Sequence, residues 1–417
     1  VEETVIAHVT DVFAPRIGGI EVQVEALARA QSDTGQTVHV VTGTPDRGPG
    51  ADVSFPFAVH RVRASELRGL LTSLRPDAVH IHVSVVSPFA WRAARITGEL
   101  SVPAVLTVHS MWDSPVRLLY RTIAALGRWR RGLVVTAVST PVGRQVAKAL
   151  PGSVRIMVVP NGVDTGRWTV DAAQRTRGGA EFHVVSVGRL ARRRQPMALL
   201  RVLRESHARL SPGVGMRATI VGAGPRRSAM KRYLRRHRMD GWVDLVGAHD
   251  RAGVHRVLST ADAYLNVTGR EAFGLAVLEA RCAGLPVVAR STTGVADFIE
   301  HGREGLLGRR LEDLVDQLTR IGRDGLLRER IAEHNRSTRP TTCSWPFVLE
   351  RLQDCYDQAA ELAWTRADDQ PRTDKETRWR PLSTSPASPG ATSYTCASGS
   401  PTALPPASPM TSSAQRG

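Results

Sequence analysis

The chain has 417 residues, which at roughly 100–200 residues per domain points to two domains. Hydrophobic residues make up 42% and aromatic ones only 5%, so the cores must be largely aliphatic. Against 39 Asp and Glu stand 56 Lys and Arg, a net charge of +17. That balance suits a nucleic acid, an anionic membrane or a phosphorylated small molecule, although widely scattered arginines also make an ordinary solvated surface.

In chain order, apolar runs at 5–10, 38–42, 78–82, 104–109 and 133–139 predict strands. Amphipathic segments at 21–32 and 87–98 predict helices between them. A polar stretch over 161–180, with Gly178-Gly179 inside it, marks a domain boundary. The second half repeats the alternation, with strands at 183–188, 218–221, 243–246, 263–267 and 286–289. Its helical patterns lie at 198–210, 226–238 and 271–282, and a further helix over 347–363 follows Trp345-Pro346. This predicts an α/β protein of two Rossmann-like, doubly wound parallel-sheet domains facing a cleft, over 1–168 and 181–345. The tail over 365–417 is rich in Ser, Pro, Thr and Ala, above all from 382 onward, and is expected to be disordered.

Cys282, Cys343, Cys355 and Cys396 form no Cys-x-x-Cys pair, so neither a zinc site nor a disulfide framework is expected. The chain starts straight into an apolar strand with no basic leader, and no run approaches the ~18 apolar residues of a membrane span. A cytoplasmic setting is the expectation.

In doubly wound sheets, ligands bind outside the carboxyl ends of the strands. The first such loop is Pro15-Arg16-Ile17-Gly18-Gly19-Ile20-Glu21. Its glycines let backbone amides approach a ligand, and the helix that follows favours an anion, though a tight turn needs the same residues. His109 ends a strand and can donate to a sugar hydroxyl or exchange a proton near neutral pH. Arg189, Arg192, Arg193 and Arg194 follow another strand, and the planar guanidinium fork suits phosphate oxygens.

The segment from Thr268 to Ala280 carries the most chemistry. Glu271 stands at a loop-to-helix junction, with the helix expected from Ala272 onward. The free amides of Phe273, Gly274 and Leu275 would then lie in the first turn and bind phosphate without a metal. Glu279 follows eight positions after Glu271 and would address another part of one long ligand. No Asp-x-Asp motif is present. The basic cluster of Arg226, Arg227, Lys231, Arg232, Arg235, Arg236 and Arg238 lacks the interleaved aromatics of a nucleic-acid site. Arg117, Arg121, Arg128, Arg130 and Arg131, with Leu118, Leu119 and Trp129, could form a basic amphipathic surface for an anionic membrane.

Taken together, these motifs resemble the family-4 retaining glycosyltransferases of the GT-B fold. The resemblance spans most of 4–364 and includes Val159-Pro160-Asn161-Gly162-Val163-Asp164, Val221-Gly222-Ala223-Gly224-Pro225 and Gly294-Val295-Ala296-Asp297. It implies transfer of a hexose from a UDP- or GDP-sugar to a hydroxyl acceptor such as a glycan, glycolipid or small molecule, with no cofactor and no metal. It implies that Arg189 and Arg194 contact the donor diphosphate, Arg194 standing where the family usually has Lys. Phe273, Gly274 and Leu275 would offer amides to the phosphates, Glu279 would bind the ribose and Glu271 the hexose. On the acceptor side stand Gly18, Gly19 and His109, of which Gly19 would approach the donor phosphate across the cleft and His109 would face the sugar. Asp297 stands near where the family has Glu, which puts that donor contact in doubt. The helix over 346–364 would cross back to the first domain. The same scaffold hosts nucleotide-sugar epimerases, a second reading, and a basic nucleic-acid-binding protein is a third of another class.

Overall fold

The computed structural model describes residues 4–16, 18–46, 54–125, 133–150, 154, 156–170, 181–211 and 213–364. The predicted disordered tail, Ile17, the second half of the boundary stretch, and Arg128, Trp129, Arg130 and Arg131 lie outside them.

The first domain alternates strand and helix: β1 (Val5–Thr10), α1 (Gly19–Asp33), β2 (Thr37–Thr42), β3 (Ala58–Arg61), α2 (Leu67–Leu74), β4 (Ala78–Val83), α3 (Pro88–Leu100), β5 (Ala104–Val108), α4 (Ser114–Ala125), β6 (Leu133–Ala137), α5 (Thr140–Ala147), β7 (Ile156–Val158) and α6 (Thr165–Trp168). Its seven strands lie in the order β3-β2-β1-β4-β5-β6-β7, all parallel. All six residues of β4 are buried, as expected of a central strand covered on both faces.

The second domain repeats the plan with β8 (Phe182–Val187), α7 (Pro196–Arg209), β9 (Met216–Val221), α8 (Arg227–Arg236), β10 (Val243–Gly247), α9 (Arg251–Ser259), β11 (Ala263–Asn266), α10 (Leu275–Cys282), β12 (Val287–Arg290), β13 (Gly305–Gly308), α11 (Leu311–Arg323) and α12 (Gly325–Ser337). Its six parallel strands run β10-β9-β8-β11-β12-β13. Three strands were not predicted. β3 is a partly exposed edge, β7 has three residues and β13 reads Gly-Leu-Leu-Gly, so none offers an apolar run long enough to read.

The last helix, α13 (Trp345–Trp364), leaves the second domain and packs on β4, β5, β6 and α1 of the first. Pro346 falls in its first turn, where a missing amide proton is harmless. Val348, Leu352, Cys355, Tyr356 and Ala359 are buried against Ile6, Leu27, Val105, Val134 and Met157. Each large apolar side chain so buried contributes roughly 1.5–3 kcal/mol. Apolar packing also joins the two domains, since one buried cluster holds Val138 and Val142 of the first with Phe273, Val277 and Val295 of the second.

In each sheet the strand order reverses once, between β1 and β4 and between β8 and β11. A crevice forms at such a reversal because the flanking connections leave on opposite faces. The loops after β1, β8 and β11 therefore hold the candidate site.

Candidate active site

The loop after β8 is fastened by backbone bonds. The Leu190 amide donates to the Ala223 carbonyl and the Arg226 amide to the Leu190 carbonyl, both at 2.9 Å. Gly222 permits this approach: its φ is 147°, and a β-carbon there would overlap the Gly188 carbonyl oxygen. Arg189 is left exposed, with no acidic partner among the described residues. A short 3-10 turn, Arg192–Arg194, then brings Arg194 back toward the sheet. The side chain of the next residue, Gln195, accepts the Gly269 amide at 2.8 Å and so ties this loop to the one after β11.

Arg194 donates to the Glu271 carboxylate, which is buried. Asn266 approaches the same oxygen at 3.4 Å. The helix does not begin at Ala272 as predicted. Gly274 has φ 102° and ψ 56°, a left-handed turn, and α10 starts at Leu275. Phe273 thus precedes the helix and is buried, its ring 5.1 Å from that of Phe298. The amides of Val277 and Leu278 return to the Gly274 carbonyl at 2.9 and 3.0 Å. Those of Gly274, Leu275 and Ala276 have no acceptor among the described residues, so the helix presents open donors.

Glu279 is a helical residue of α10, whereas Glu271 is not, so the helical spacing assumed between them does not apply. Burial pushes the Glu279 carboxyl up from 4.5 to about 7, opposed by the charge of Arg251.

Across the cleft, Gly18 caps α1 and Gly19 is its first residue. A β-carbon on Gly18 would strike the Glu21 carboxylate, which pairs with Arg16 at 3.3 Å. One on Gly19 would meet nothing within 4 Å, so Gly19 borders open space. His109 follows β5, partly exposed, its amide bonded to the Val83 carbonyl at 2.9 Å. Burial of its ring lowers the imidazole to about 4. That shift favours the neutral ring at pH 7, a hydrogen-bonding group with one N–H and one lone pair.

The two domains touch around these loops. Asp113, just beyond His109, pairs with Arg270 at 2.9 Å. Ser139 donates to the Ala272 carbonyl at 2.5 Å. The Thr140 amide donates to Asp297 at 2.6 Å, so that carboxylate faces the first domain.

Sequence reading passed over a second set of groups. His8, His80 and His82 are buried in the first sheet, with Gln31 from α1 and Tyr356 from α13. His80 and His82 are two apart and share a face of β4, and β1 pairs His8 with His80. The His-x-His spacing was the available signal. Their nitrogens lie within 4.8 Å of one another, a spacing that could suit a metal ion. Each ring nitrogen, however, already has a protein hydrogen-bond partner. Burial holds His8 down at about 4 and His80 and His82 well below the usual imidazole range, so all three are neutral.

Two family models match this architecture domain by domain. Glycosyltransferase Family 4 covers residues 17–167 and Glycosyl transferases group 1 covers 170–338. A D-inositol 3-phosphate glycosyltransferase of Actinosynnema mirum is 31% identical over 357 residues, 78% of this chain and 82% of its own. The chain is a family 4, group 1 glycosyltransferase. A glycogen synthase of Mycobacterium tuberculosis is 29% identical to this glycosyltransferase over 315 residues, 72% of each chain. Among solved structures, Anabaena HepE in complex with UDP and glucose superimposes with a TM-score of 0.69 at 16% identity, covering 85% of this glycosyltransferase and 100% of HepE. The catalytic domain of starch synthase IV from Arabidopsis thaliana, bound to ADP and acarbose, gives 0.68 at 15% identity, over 86% and 100%. These likenesses establish the GT-B fold. No helix among the described residues of the glycosyltransferase is long and apolar enough to cross a membrane.

Proposed function

We propose that this glycosyltransferase moves a hexose from a UDP- or GDP-sugar to a hydroxyl acceptor, with retention at the anomeric carbon and without a divalent metal. One observation carries the reading. In the loops at the reversal point of the second sheet, Arg189 is exposed after β8, and Arg194 pairs with Glu271 three residues ahead of the open amides of Gly274 and Leu275. A guanidinium group held at the entry to a helix N-terminus, with a second exposed one in the same loop, suits a diphosphate. The UDP held by HepE, a protein of the same fold, supports that donor class.

The chemistry follows from charge. Cleaving the anomeric bond leaves positive charge on the sugar ring and negative charge on the departing phosphate. Arg189, Arg194 and the amides stabilise the second as it grows, each such donor being worth on the order of 3 kcal/mol. That task is the one a metal would otherwise perform. Glu271 is engaged by Arg194, which favours a role in binding the hexose over one as nucleophile. The acceptor hydroxyl then attacks on the face from which the diphosphate departs and gives its proton to a phosphate oxygen. In this reading Glu279 accepts from the ribose hydroxyls, Gly19 borders the phosphates and His109 faces the hexose, with Gly18 setting the turn.

A lipid-linked acceptor fits one further feature. On α4, Leu118 and Leu119 are exposed beside Arg117 and Arg121, a surface suited to anionic lipid. Flotation with anionic vesicles tests it, and protein left unbound removes this part of the proposal.

The central test is a panel of UDP- and GDP-sugars incubated with the protein and EDTA, with the product's anomeric configuration read by NMR. Dependence on added metal, or an inverted product, would refute the corresponding part. Folded Glu271→Ala and Arg194→Ala proteins with full activity would refute the site.

A further inference from the structure

The buried histidines form a continuous line of hydrogen bonds that ends at His109. Gln31 Oε1 lies 2.6 Å from His8 Nε2. His8 Nδ1 lies 3.0 Å from His82 Nε2, and His82 Nδ1 lies 2.9 Å from His109 Nε2. On its other side the Gln31 amide nitrogen donates to the Tyr356 hydroxyl at 3.1 Å. That hydroxyl lies 2.8 Å from His80 Nδ1, and His80 Nε2 lies 2.7 Å from the Thr107 hydroxyl. Thr107 meets Thr136 at 2.6 Å.

A neutral imidazole has one N–H and one lone pair. In such a line every proton must point the same way, so the whole line has only two polarities. The Gln31 amide selects between them. Its shorter contact, 2.6 Å to His8, suits oxygen accepting from N–H, and its longer one, 3.1 Å to Tyr356, suits the amide nitrogen. Turning the amide over would require the 2.6 Å contact to lengthen to the range of an N–H···N bond, against the packing that Tyr356 helps to hold. With the oxygen toward His8, His8 carries its proton on Nε2, and so does His82. His109 must then donate from Nε2 as well. Tyr356 then accepts from Gln31 and donates to His80 Nδ1.

We propose that Gln31 and Tyr356 are positioning residues that hold His109 as the Nε2–H tautomer through His8 and His82, leaving Nδ1 as a hydrogen-bond acceptor for a donor-sugar hydroxyl. The role for that acceptor rests on the reading of His109 as a sugar contact. Nδ1 is the ring nitrogen of His109 with no partner among the described residues. The fold gives the relay a consequence: Tyr356 belongs to the helix that crosses back from the second domain, so docking of α13 sets the hydrogen-bonding sense of a group at the cleft.

NMR of the imidazole nitrogens in the nitrogen-labelled full chain tests this, with His109 assigned from His109→Gln. The wild type should show His109 protonated at Nε2 and bare at Nδ1. In Tyr356→Phe the amide is free to turn, and the His109 signals should split between the two tautomers. Donor kcat/KM should fall about two-fold in that variant, as the competent tautomer drops to about half of the population. Gln31→Met should split the tautomer in the same way. A protonated Nδ1 in the wild type overturns the proposal, as does a His109 tautomer unchanged in Tyr356→Phe. If Gln31→Met does not fold, Tyr356→Phe, which removes a single oxygen atom, decides alone. Should His109→Gln transfer sugar at the wild-type rate, the sugar-contact reading falls, while the tautomer result still decides the relay.

Discussion

Arg194 and Glu271 form an ion pair that joins the loop after β8 to the loop after β11. The carboxylate is buried and the guanidinium is partly exposed, so one face of the pair remains open toward the cleft. Removing Arg194 takes away the cation proposed to face the donor phosphate and leaves Glu271 without its charged partner. Arg194→Ala should lower kcat by roughly 10²–10³-fold. It should also destabilise the fold by about 1–3 kcal/mol, as for a buried acceptor left unsatisfied. Transfer kinetics beside thermal melting separate the two effects.

The pH dependence of Glu279 has a definite sign. Its folded pKa is raised from 4.5 to about 7. Between these values the unfolded chain has ionised and the folded one has not. Stability from this group is therefore full below 4.5 and is lost as pH rises through 7. In the proposed role the ionised Glu279 carboxylate accepts better from the ribose hydroxyls, so donor affinity should rise as pH passes through about 7, above the interval in which stability falls. Glu279→Gln should flatten both profiles, read by chemical denaturation and by donor titration. A Gln variant as pH-sensitive as the wild type would show that another group titrates.

Two glycines should behave in opposite ways. Gly274 is left-handed, and an added β-carbon would sit 2.9 Å from Val295 Cγ2. Gly274→Ala should lose about 1–3 kcal/mol of stability along with activity. Gly19 opens α1 and borders empty space. Gly19→Ala should be neutral or gain up to about 0.5–1 kcal/mol, since alanine loses less backbone entropy in a helix. Its donor KM should nevertheless rise, because the added methyl projects where the phosphate is proposed to lie. Melting curves and donor kinetics on both variants check this, and an unchanged KM in Gly19→Ala would argue against that placement.

Asp113 and Arg270 span the cleft at 2.9 Å on a partly exposed surface. A double-mutant cycle should give a coupling of only about 0.2–1 kcal/mol, falling further in salt. A larger, salt-insensitive coupling would mean the pair is shielded from water.

Leu352 of α13 is buried against the first sheet. Leu352→Ala should cost about 2–5 kcal/mol, as in other cores where a leucine is emptied. Unfolding followed by chemical denaturation would measure it.

Much of the fold was legible because its signals are local. Continuous aliphatic runs such as Val5–Thr10 read as buried parallel strands without knowledge of their neighbours. β3, β7 and β13 were not legible, because three- and four-residue edge strands, one of them flanked by glycines, leave too short an apolar run to read. The start of α10 was misplaced because Ala272 and Phe273 suit a helix, whereas the chain takes a left-handed turn at Gly274, where an added β-carbon would crowd Val295.

By itself the sequence determined two parallel α/β domains, and it marked Gly19, His109, Arg189, Arg194, Glu271 and Glu279 as strand-end or helix-start residues bearing suitable chemistry. Only the tertiary structure decided which of them meet. Arg194 finds Glu271 because β8 and β11 are neighbours in the sheet although 77 residues separate the two side chains. Gln31 finds Tyr356 across 325 residues because α13 returns to the first sheet. Periodicity reports what lies within a turn or a pleat, whereas strand order and register determine which distant side chains share a face. The line of neutral histidines behind His109 exists only at that second level.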